Sequence, residues 1–199
     1  MVAAHNSINI PPEVLARAAK VKMMIFDVDG VLTDGGILFG PDGEAIKRFN
    51  VLDGLGIKLL QQAGIVTAII SARSSAIVSR RVSDLGITHV YQGAHNKNSA
   101  FAALLTDTNL TPDVCGFIGD DIIDLPILTR AGLAVSVPNG HEEVRSRVHY
   151  VTQASGGQGA AREVCDLILR AQGKYEAALA QYLTGVPAAG APAVGAPAL

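Results

Sequence analysis

Three aspartates follow an apolar run near the start of the chain. The stretch "MMIFDVDGVLTDGG" begins at Met23, places Asp27 and Asp29 one residue apart and adds Asp34. A buried carboxylate costs several kcal/mol unless it is paired, hydrogen-bonded or bound to a metal. Because side chains alternate along a strand, both members of the pair are expected to face one cavity, with Gly30 allowing a sharp turn. The pattern therefore predicts cationic partners at this point.

Three later segments that resemble strands also end in polar residues. The second strand ends in "SAR" (71–73), the third leads through "GAHNKN" to Lys97, and the fourth ends in "GDDIID" (119–124). Open parallel sheets bind ligands at the carboxyl ends of their strands. A carboxylate pair, a hydroxyl, an ammonium and a carboxylate cluster are therefore expected at one edge.

These residue types suit a magnesium site beside a phosphate site. Mg²⁺ prefers oxygen ligands and keeps waters and a substrate phosphate oxygen, so Asp27 and Asp120 are candidate carboxylate ligands. Ser71 and Lys97 are predicted to lie at helix N-termini, where free N–H groups and the helix dipole favour phosphate. The Lys97 ammonium adds a full positive charge.

Strand-like and helix-like segments alternate from residue 23 onward, which predicts an α/β fold with three layers around a parallel sheet. Helices are expected over 52–63, 74–85, 98–108, 122–131, 142–146 and 159–171. A "GPDG" turn predicts a small β-hairpin flap over 36–50. The organisation is thus an N-terminal helical segment (1–20), a core (21–175) and a low-complexity tail (184–199) expected to be disordered.

Composition excludes several classes of function. The 199 residues are 49% hydrophobic and 17% charged, with a net charge of −2, five Phe, four Tyr and no Trp. This gives no footprint for nucleic acid, and no apolar run of signal-peptide or membrane-spanning type occurs. Cys115 and Cys165 have no metal-ligand spacing and are expected to be buried free thiols. A cytoplasmic location without a membrane partner is expected.

The joint pattern closely resembles the haloacid dehalogenase superfamily of phosphohydrolases, over roughly residues 23–171. The segment "DVDGVLTD" is similar to the first motif of that superfamily, and the resemblance gives Asp27 the role of nucleophile. Asp29 takes the role of general acid and base, and its backbone carbonyl that of a metal ligand beside Asp27 and Asp120. Ser71 and Lys97 match the second and third motifs and would hold the phosphoryl oxygens.

The fourth motif of the superfamily matches Asp120 and Asp124. By the same resemblance, Asp121 and Asp124 would orient Lys97 and metal-bound water. No insertion is long enough for a separate cap domain. The hairpin flap is therefore expected to serve in its place.

Within the superfamily, the chain is most similar to the phosphatases of 3-deoxy-D-manno-octulosonate 8-phosphate, through segments such as "FNVLDGLGIKLL" and "GFIGDDIIDLPIL". That resemblance implies a homotetramer in which a neighbouring subunit closes the site over a small phosphorylated sugar acid. Ala72 departs from the glycine usual there, and a methyl group at that turn would crowd the phosphate. Arg73 is a candidate for the sugar carboxylate, with a surface arginine as the alternative, and Arg81 is a weaker candidate.

Two other functions stay open at this point. A phosphatase of acylneuraminate metabolism has a similar core and would act on a different sugar phosphate. A catalytically idle domain of this fold used for binding or regulation is the alternative of another class. Against the idle domain, every motif position holds a reactive residue type, Asp29 included.

Overall fold

A six-stranded sheet lies at the centre of residues 10–184, which the computed structural model of the chain describes. The eight strands, of which β2 and β3 form a separate hairpin, are β1 (Met23–Phe26), β2 (Leu38–Gly40), β3 (Gly43–Ile46), β4 (Val66–Ile70), β5 (His89–Tyr91), β6 (Cys115–Ile118), β7 (Leu133–Ser136) and β8 (Tyr150–Val151). The helices are α1 (Pro12–Ala18), α2 (Val51–Gln62), α3 (Ala76–Leu85), α4 (Lys97–Thr108), α5 (Leu125–Leu128), α6 (Glu142–Arg145), α7 (Ala160–Ala171) and α8 (Tyr175–Thr184).

All strand pairs of the large sheet are parallel, in the order β5-β4-β1-β6-β7-β8. Strand β1 is central. Phe26, its last residue, is level with Ile69 of β4 and Ile118 of β6. The carboxyl ends of these three strands therefore meet at one level, as predicted, and the loops that follow them share one edge of the sheet.

Helices cover both faces of the sheet. Met24 and Phe26 pack on one side with α1, α2, α3 and α7, whereas Met23 and Ile25 pack on the other with α4, α5 and α6. This alternation is why all four residues of β1 are apolar: a parallel strand buried on both faces has no polar side. The predicted three-layer α/β class is confirmed.

The hairpin β2–β3 lies within the segment 36–50 and makes no part of the large sheet. Its two strands are short and antiparallel, and Leu38, Phe39 and Ile46 are exposed, Phe39 by 70% of its surface. We refer to this hairpin, together with Lys47 at its end, as the flap. An isolated two-stranded hairpin is marginally stable, so its position depends on what its side chains contact.

Two helix predictions need correction. The helix expected over 122–131 is a 3₁₀ turn, Ile122–Asp124, followed by the four-residue α5. Pro126 lies in the first turn of α5, where it cannot donate a backbone hydrogen bond, so the regular helix starts there and not earlier. Helix α8 was not predicted. Its alanine-rich sequence resembles the tail that follows, yet Tyr175 and Ala178 pack against the core.

The ends of the chain are described only in part. Residues 1–9 and 185–199 lie outside the described range, and with them most of the predicted tail (184–199). Helix α1 forms in the predicted N-terminal segment and buries Val14 and Ala18. Over the described range, Cys115 and Cys165 are buried free thiols, as predicted. No helix within residues 10–184 has the length and apolar character needed to cross a membrane.

Candidate active site

The core of the site is a lysine held between two carboxylates. Asp27 follows β1 directly, and its N–H donates to the Ile118 carbonyl at 3.0 Å, which fixes the residue at the end of the sheet. Lys97 is the first residue of α4, and its Nζ lies 2.9 Å from Asp27 Oδ2 and 2.5 Å from Asp124 Oδ1. The Lys97 side chain is 1% exposed. This lysine is therefore a buried structural and electrostatic partner of both acids.

Asp124 is the most completely bonded member of this group. Its Oδ2 accepts the N–H groups of Asp120 (3.0 Å) and Asp121 (3.1 Å), while its Oδ1 accepts from Lys97. Asp121 in turn accepts from the Ile122 N–H at 2.7 Å, so the two acids cap the 3₁₀ turn reciprocally. The turn thereby fixes Asp120 relative to Lys97. Asp121 is exposed at the rim of the site.

Asp120 lies very close to the loop that follows β1. A Cβ atom placed on Gly30 would lie 2.1 Å from Asp120 Oδ2, and Gly30 has φ +92°. Both the approach and the backbone angle exclude any residue with a side chain. Asp120 lies in the loop after β6. Because Gly30 has no side chain, the Asp120 carboxylate can reach the loop that carries Asp27.

Three carboxylates meet at this point and fit a divalent cation. One oxygen each from Asp27, Asp120 and Asp124 lies within 4.8 Å of the other two. Asp120 Oδ1 is buried and accepts no hydrogen bond from the described residues. Among residues 10–184, Lys97 is the cation in ion-pair contact with this group, which leaves two uncompensated formal negative charges. An oxygen-only donor set with this charge suits Mg²⁺.

Burial and mutual repulsion also shape the acid–base properties of the group. Burial, with the Asp124 charge second, raises the pKa of Asp27 to about 8 against the opposing effect of Lys97. Burial and the same Asp124 charge raise the pKa of Asp120 to about 7. Burial lowers the pKa of Lys97, but the two acids beside it outweigh that effect and raise it. A cation between the carboxylates would offset the Asp124 repulsion that contributes, after burial, to the first two shifts.

Asp29 belongs to a different ion-pair group. Strand β1 ends at Phe26, so the strand alternation that predicted a common direction for Asp27 and Asp29 no longer holds. The Asp29 carboxylate forms an ion pair with Lys47 of the flap, whose side chain is 1% exposed. Lys47 Nζ also lies 2.8 Å from Glu44 Oε1. Asp29 therefore contacts the flap, while Asp27 contacts the core.

The flap is also bonded to the loop after β4. Ser75 Oγ donates a hydrogen bond to Glu44 Oε2. Arg73 Nη2 lies 3.8 Å from Glu44 Oε1, and Arg73 Nε lies 3.8 Å from Asp29 Oδ2. Ser75 caps α3, so this contact ties the flap to a regular element of the core. The charges of Glu44 and Lys47 are thus both directed into the site.

The structure places the predicted phosphate residues at the expected edge but corrects one detail. Ser71 is buried directly after β4, and Ala72 is half-buried beside it. Helix α3 begins only at Ala76, with Ser75 as its cap, so the prediction that Ser71 lies at a helix start is wrong. The "SAR" segment is instead a loop bonded to β5, through the Ser71 N–H and the Tyr91 carbonyl at 2.9 Å.

Two glycines just before α7 pack against the loop that follows β1. A Cβ atom on Gly156 would lie 1.7 Å from the Gly30 carbonyl oxygen, so only glycine permits this contact. The adjacent Gly157 donates its N–H to the Val31 carbonyl at 2.9 Å. We refer to Gly156 and Gly157 as the glycine platform. It presses against the loop that positions Asp29 and Gly30.

Comparisons with known proteins agree with this geometry. The model of the haloacid dehalogenase-like hydrolases matches residues 76–164. The 3-deoxy-D-manno-octulosonate 8-phosphate phosphatase of Escherichia coli K12 is 45% identical over 172 residues, which cover 86% of this chain and 92% of the relative. The chain belongs to this phosphatase family.

Solved structures of the octulosonate phosphatase family share the fold. The Yersinia pestis enzyme matches with a TM-score of 0.82 and 46% identity, over 83% of this chain and 89% of that one. The Moraxella catarrhalis enzyme, solved with a magnesium ion, a phosphate ion and the sugar acid KDO, matches with a TM-score of 0.83 and 44% identity. That match covers 85% of this chain and 98% of the other.

Two residues of this family member were missed at the sequence level, namely Glu44 and Lys47. Their spacing in the sequence does not identify them, because Lys47 contacts Asp29 across 18 residues of chain and Glu44 contacts Lys47. The available signal was the presence of two charged residues in a hairpin predicted to cover the site. Arg81 was a candidate for the substrate, and the structure places it over the Phe49 ring, with Nη2 3.4 Å from the Asn50 carbonyl.

Proposed function

We propose that the protein is a Mg²⁺-dependent phosphatase that hydrolyses 3-deoxy-D-manno-octulosonate 8-phosphate to the free sugar acid and inorganic phosphate. The observation that carries this proposal is the buried group of Asp27, Asp120 and Asp124 around Lys97, at the shared edge of β1 and β6. Family membership at 45% identity supplies the substrate.

In the proposed mechanism Asp27 is the nucleophile. One of its carboxylate oxygens attacks phosphorus, the bond from phosphorus to the sugar oxygen breaks, and an aspartyl-phosphate forms. Asp29 donates its proton to the departing sugar oxygen in this step. In the second step Asp29 takes a proton from water as that water attacks phosphorus, and the bond to Asp27 breaks. Phosphate leaves and both carboxylates return to their initial states.

The remaining residues hold charge and position. Asp27 and Asp120, with the backbone carbonyl of Asp29, would bind Mg²⁺, which when bound neutralises the charge of the phosphoryl oxygens. Lys97 and Ser71 would hold phosphoryl oxygens. Asp124 keeps Lys97 directed at Asp27, through its 2.5 Å contact with the ammonium.

Other residues at the rim are proposed to serve the sugar and the solvent. Arg73, with its side chain 42% exposed and turned toward Asp29 and Glu44, would bind the sugar carboxylate, and Arg81 remains a weaker candidate for the same role. The half-buried Ala72 would border the phosphate. Asp121 at the rim would orient metal-bound water.

The exposed side of the flap supports an oligomer as part of the proposal. Leu38, Phe39 and Ile46 present apolar surface to solvent, and Val51 and Leu52 at the start of α2 are exposed as well. Clustered apolar surface of this kind marks protein interaction sites. We therefore propose a homotetramer in which a neighbouring subunit covers the flap and closes the site. The buried free thiols fit a cytoplasmic location.

Phosphate release from a panel of sugar phosphates tests the proposal. The panel contains 3-deoxy-D-manno-octulosonate 8-phosphate and N-acetylneuraminate 9-phosphate, each with Mg²⁺ or with EDTA. We expect a strong preference for the first substrate, loss of activity with EDTA, and at least roughly a 10³-fold lower kcat for Asp27→Asn. Asp84→Asn, at an exposed position in α3, is the matched control.

Each alternative result has a separate meaning. Preference for N-acetylneuraminate 9-phosphate would leave the proposed phosphatase mechanism in place and change the metabolic pathway to which the protein is assigned. Phosphate release by Asp27→Asn at the wild-type rate would remove Asp27 from the role of nucleophile. No release from any substrate by the wild-type protein would favour an idle domain used for binding or regulation.

A further inference from the structure

The flap contains a buried ammonium whose partner is the proposed general acid. Lys47 has a side chain only 1% exposed, although lysine is rarely buried without a partner. Its ammonium contacts the carboxylates of Asp29 and Glu44. Lys47 takes no part in the proposed chemistry described above, so its burial beside the acid requires an explanation.

We propose that Lys47 is the positioning residue for Asp29: it binds one carboxylate oxygen and so directs the other toward the oxygen of the departing sugar. The inference rests on the proposed phosphatase function. It adds a role for the flap that goes beyond covering the site.

The contact of Lys47 with Asp29 distinguishes the two oxygens of the carboxylate. An ammonium has three donors and no acceptor, and Lys47 donates to Oδ1. Arg73 Nε lies 3.8 Å from Oδ2, which is beyond hydrogen-bond distance. Oδ1 is therefore held by the flap, and Oδ2 is the oxygen left to face the departing group.

Glu44 fixes Lys47 in turn. Its Oε1 lies 2.8 Å from the ammonium, and its Oε2 accepts from Ser75 Oγ at the cap of α3. The ammonium is thus held between two carboxylates, one from the flap and one from the catalytic loop. Because Ser75 belongs to the core, the chain of contacts from Ser75 to Asp29 sets the side-chain direction of the acid without a covalent link.

The chemistry of the leaving group provides a test. An alkyl alkoxide, such as that of a sugar, must receive a proton as it departs, whereas a p-nitrophenolate departs without one. A residue that directs the general acid therefore affects the first substrate class far more than the second. A residue that only maintains the fold lowers the activity toward both substrates by the same factor, because both report the same folded fraction.

The experiment compares kcat for 3-deoxy-D-manno-octulosonate 8-phosphate and for p-nitrophenyl phosphate in the full chain with Mg²⁺. We expect Lys47→Met to lower kcat on the sugar phosphate by roughly 10²-fold and kcat on the aryl phosphate less than about 5-fold. Lys47→Arg should restore part of the ratio, because it keeps the charge with a different geometry. Lys58→Met, at an exposed position in α2, should leave the ratio unchanged.

Equal losses on the two substrates in Lys47→Met would overturn the proposal. If the Met variant does not fold, Lys47→Gln, which removes the charge but keeps a hydrogen-bond donor, is measured in its place, and a wild-type ratio in that variant would overturn the proposal. A wild-type protein that hydrolyses a different sugar phosphate changes only the substrate assignment, and the ratio measured with that sugar still decides the role of Lys47. A wild-type protein that hydrolyses no phosphate ester overturns both proposals.

Discussion

The site contains two lysine–aspartate pairs that differ in how the chain builds them. Asp27 and Lys97 come from the end of a central strand and the start of a long helix, and both side chains are at least nine-tenths buried. Asp29 and Lys47 come from a loop and from the end of a small hairpin, and Asp29 keeps 18% of its side chain exposed. One pair belongs to the core and the other joins the core to the flap.

The difference separates two tasks. Backbone hydrogen bonds of the sheet and the carboxylate of Asp124 fix the core pair, so its geometry is as rigid as the sheet itself. The flap pair depends on side-chain contacts with Glu44, and a two-stranded hairpin adds little stability of its own. A nucleophile needs the first kind of support. The proposed acid, which acts on the departing group and not on phosphorus, can use the second.

The largest effect is expected from removing the cation of the core pair. Lys97→Met leaves Asp27 and Asp124 buried, close together and without a cation, so the free energy of unfolding should fall by about 3–5 kcal/mol. Phosphatase activity should be lost with it. Urea denaturation in the presence of EDTA measures the change, with Lys58→Met as the control on an exposed lysine.

A Lys97→Met protein as stable as the wild type would show that the Asp27–Lys97 pair does not stabilise the folded chain. It would also weaken the contrast with the flap, where Lys47→Met is expected to change the substrate ratio more than the stability.

Metal binding should produce the next largest effect, again confined to the core. Because Mg²⁺ binds the folded chain and not the unfolded one, it should raise the free energy of unfolding by about 2.7 kcal/mol at a concentration 100 times its Kd. Urea denaturation with Mg²⁺ and with EDTA measures this shift. Asp120→Asn should abolish most of it, since Asp120 Oδ1 is buried in the carboxylate group and accepts no hydrogen bond from the described part of the chain.

Asp84→Asn serves as the control for the metal experiment, because Asp84 is exposed and lies outside the carboxylate group. An undiminished Mg²⁺ shift in Asp120→Asn would place the cation elsewhere on the chain.

The smallest effect on the single subunit is expected at the outer side of the flap. Phe39 is 70% exposed, so Phe39→Ser should change the free energy of unfolding of the subunit by less than about 0.5 kcal/mol. It should nevertheless weaken subunit association by about 2 kcal/mol, because aromatic residues dominate interfaces of this kind. Light scattering coupled to size-exclusion chromatography, over a series of dilutions, measures the association.

Leu183→Ser, at an exposed apolar residue of α8 outside the flap, is the comparison variant. If Phe39→Ser dissociates no more readily than this variant, the apolar surface of the flap has another purpose and the proposed tetramer loses its main support.

The same contrast explains what sequence could predict. Period-two and period-3.6 patterns identify strands and helices, and the ends of parallel strands must share an edge, so the convergence of Asp27, Lys97 and Asp120 follows from the order of the elements. The Ser71 helix-start prediction failed because the strand-to-helix loop is five residues long and the cap is Ser75. The spacing of residues along the sequence does not predict where such a loop ends and the helix begins.

The flap contacts could not be predicted in the same way. Lys47 reaches Asp29 across 18 residues, through a turn whose direction is set by tertiary packing. Helix α8 was missed for a related reason. Its apolar pattern is weak, and the helix can be recognised only from its packing against α7. In both cases the deciding interactions join elements that the sequence pattern treats as independent.

The glycine platform has a consequence for the order in which the site is completed. Asp27 and Asp29 are synthesised early, yet the loop that carries them packs against Gly156 and Gly157, which the ribosome adds about 130 residues later. A nascent chain therefore contains Asp27, the proposed nucleophile, long before the glycine platform that supports its loop has been synthesised. The complete site can therefore form only late in translation, when nearly the whole of the described chain has left the ribosome.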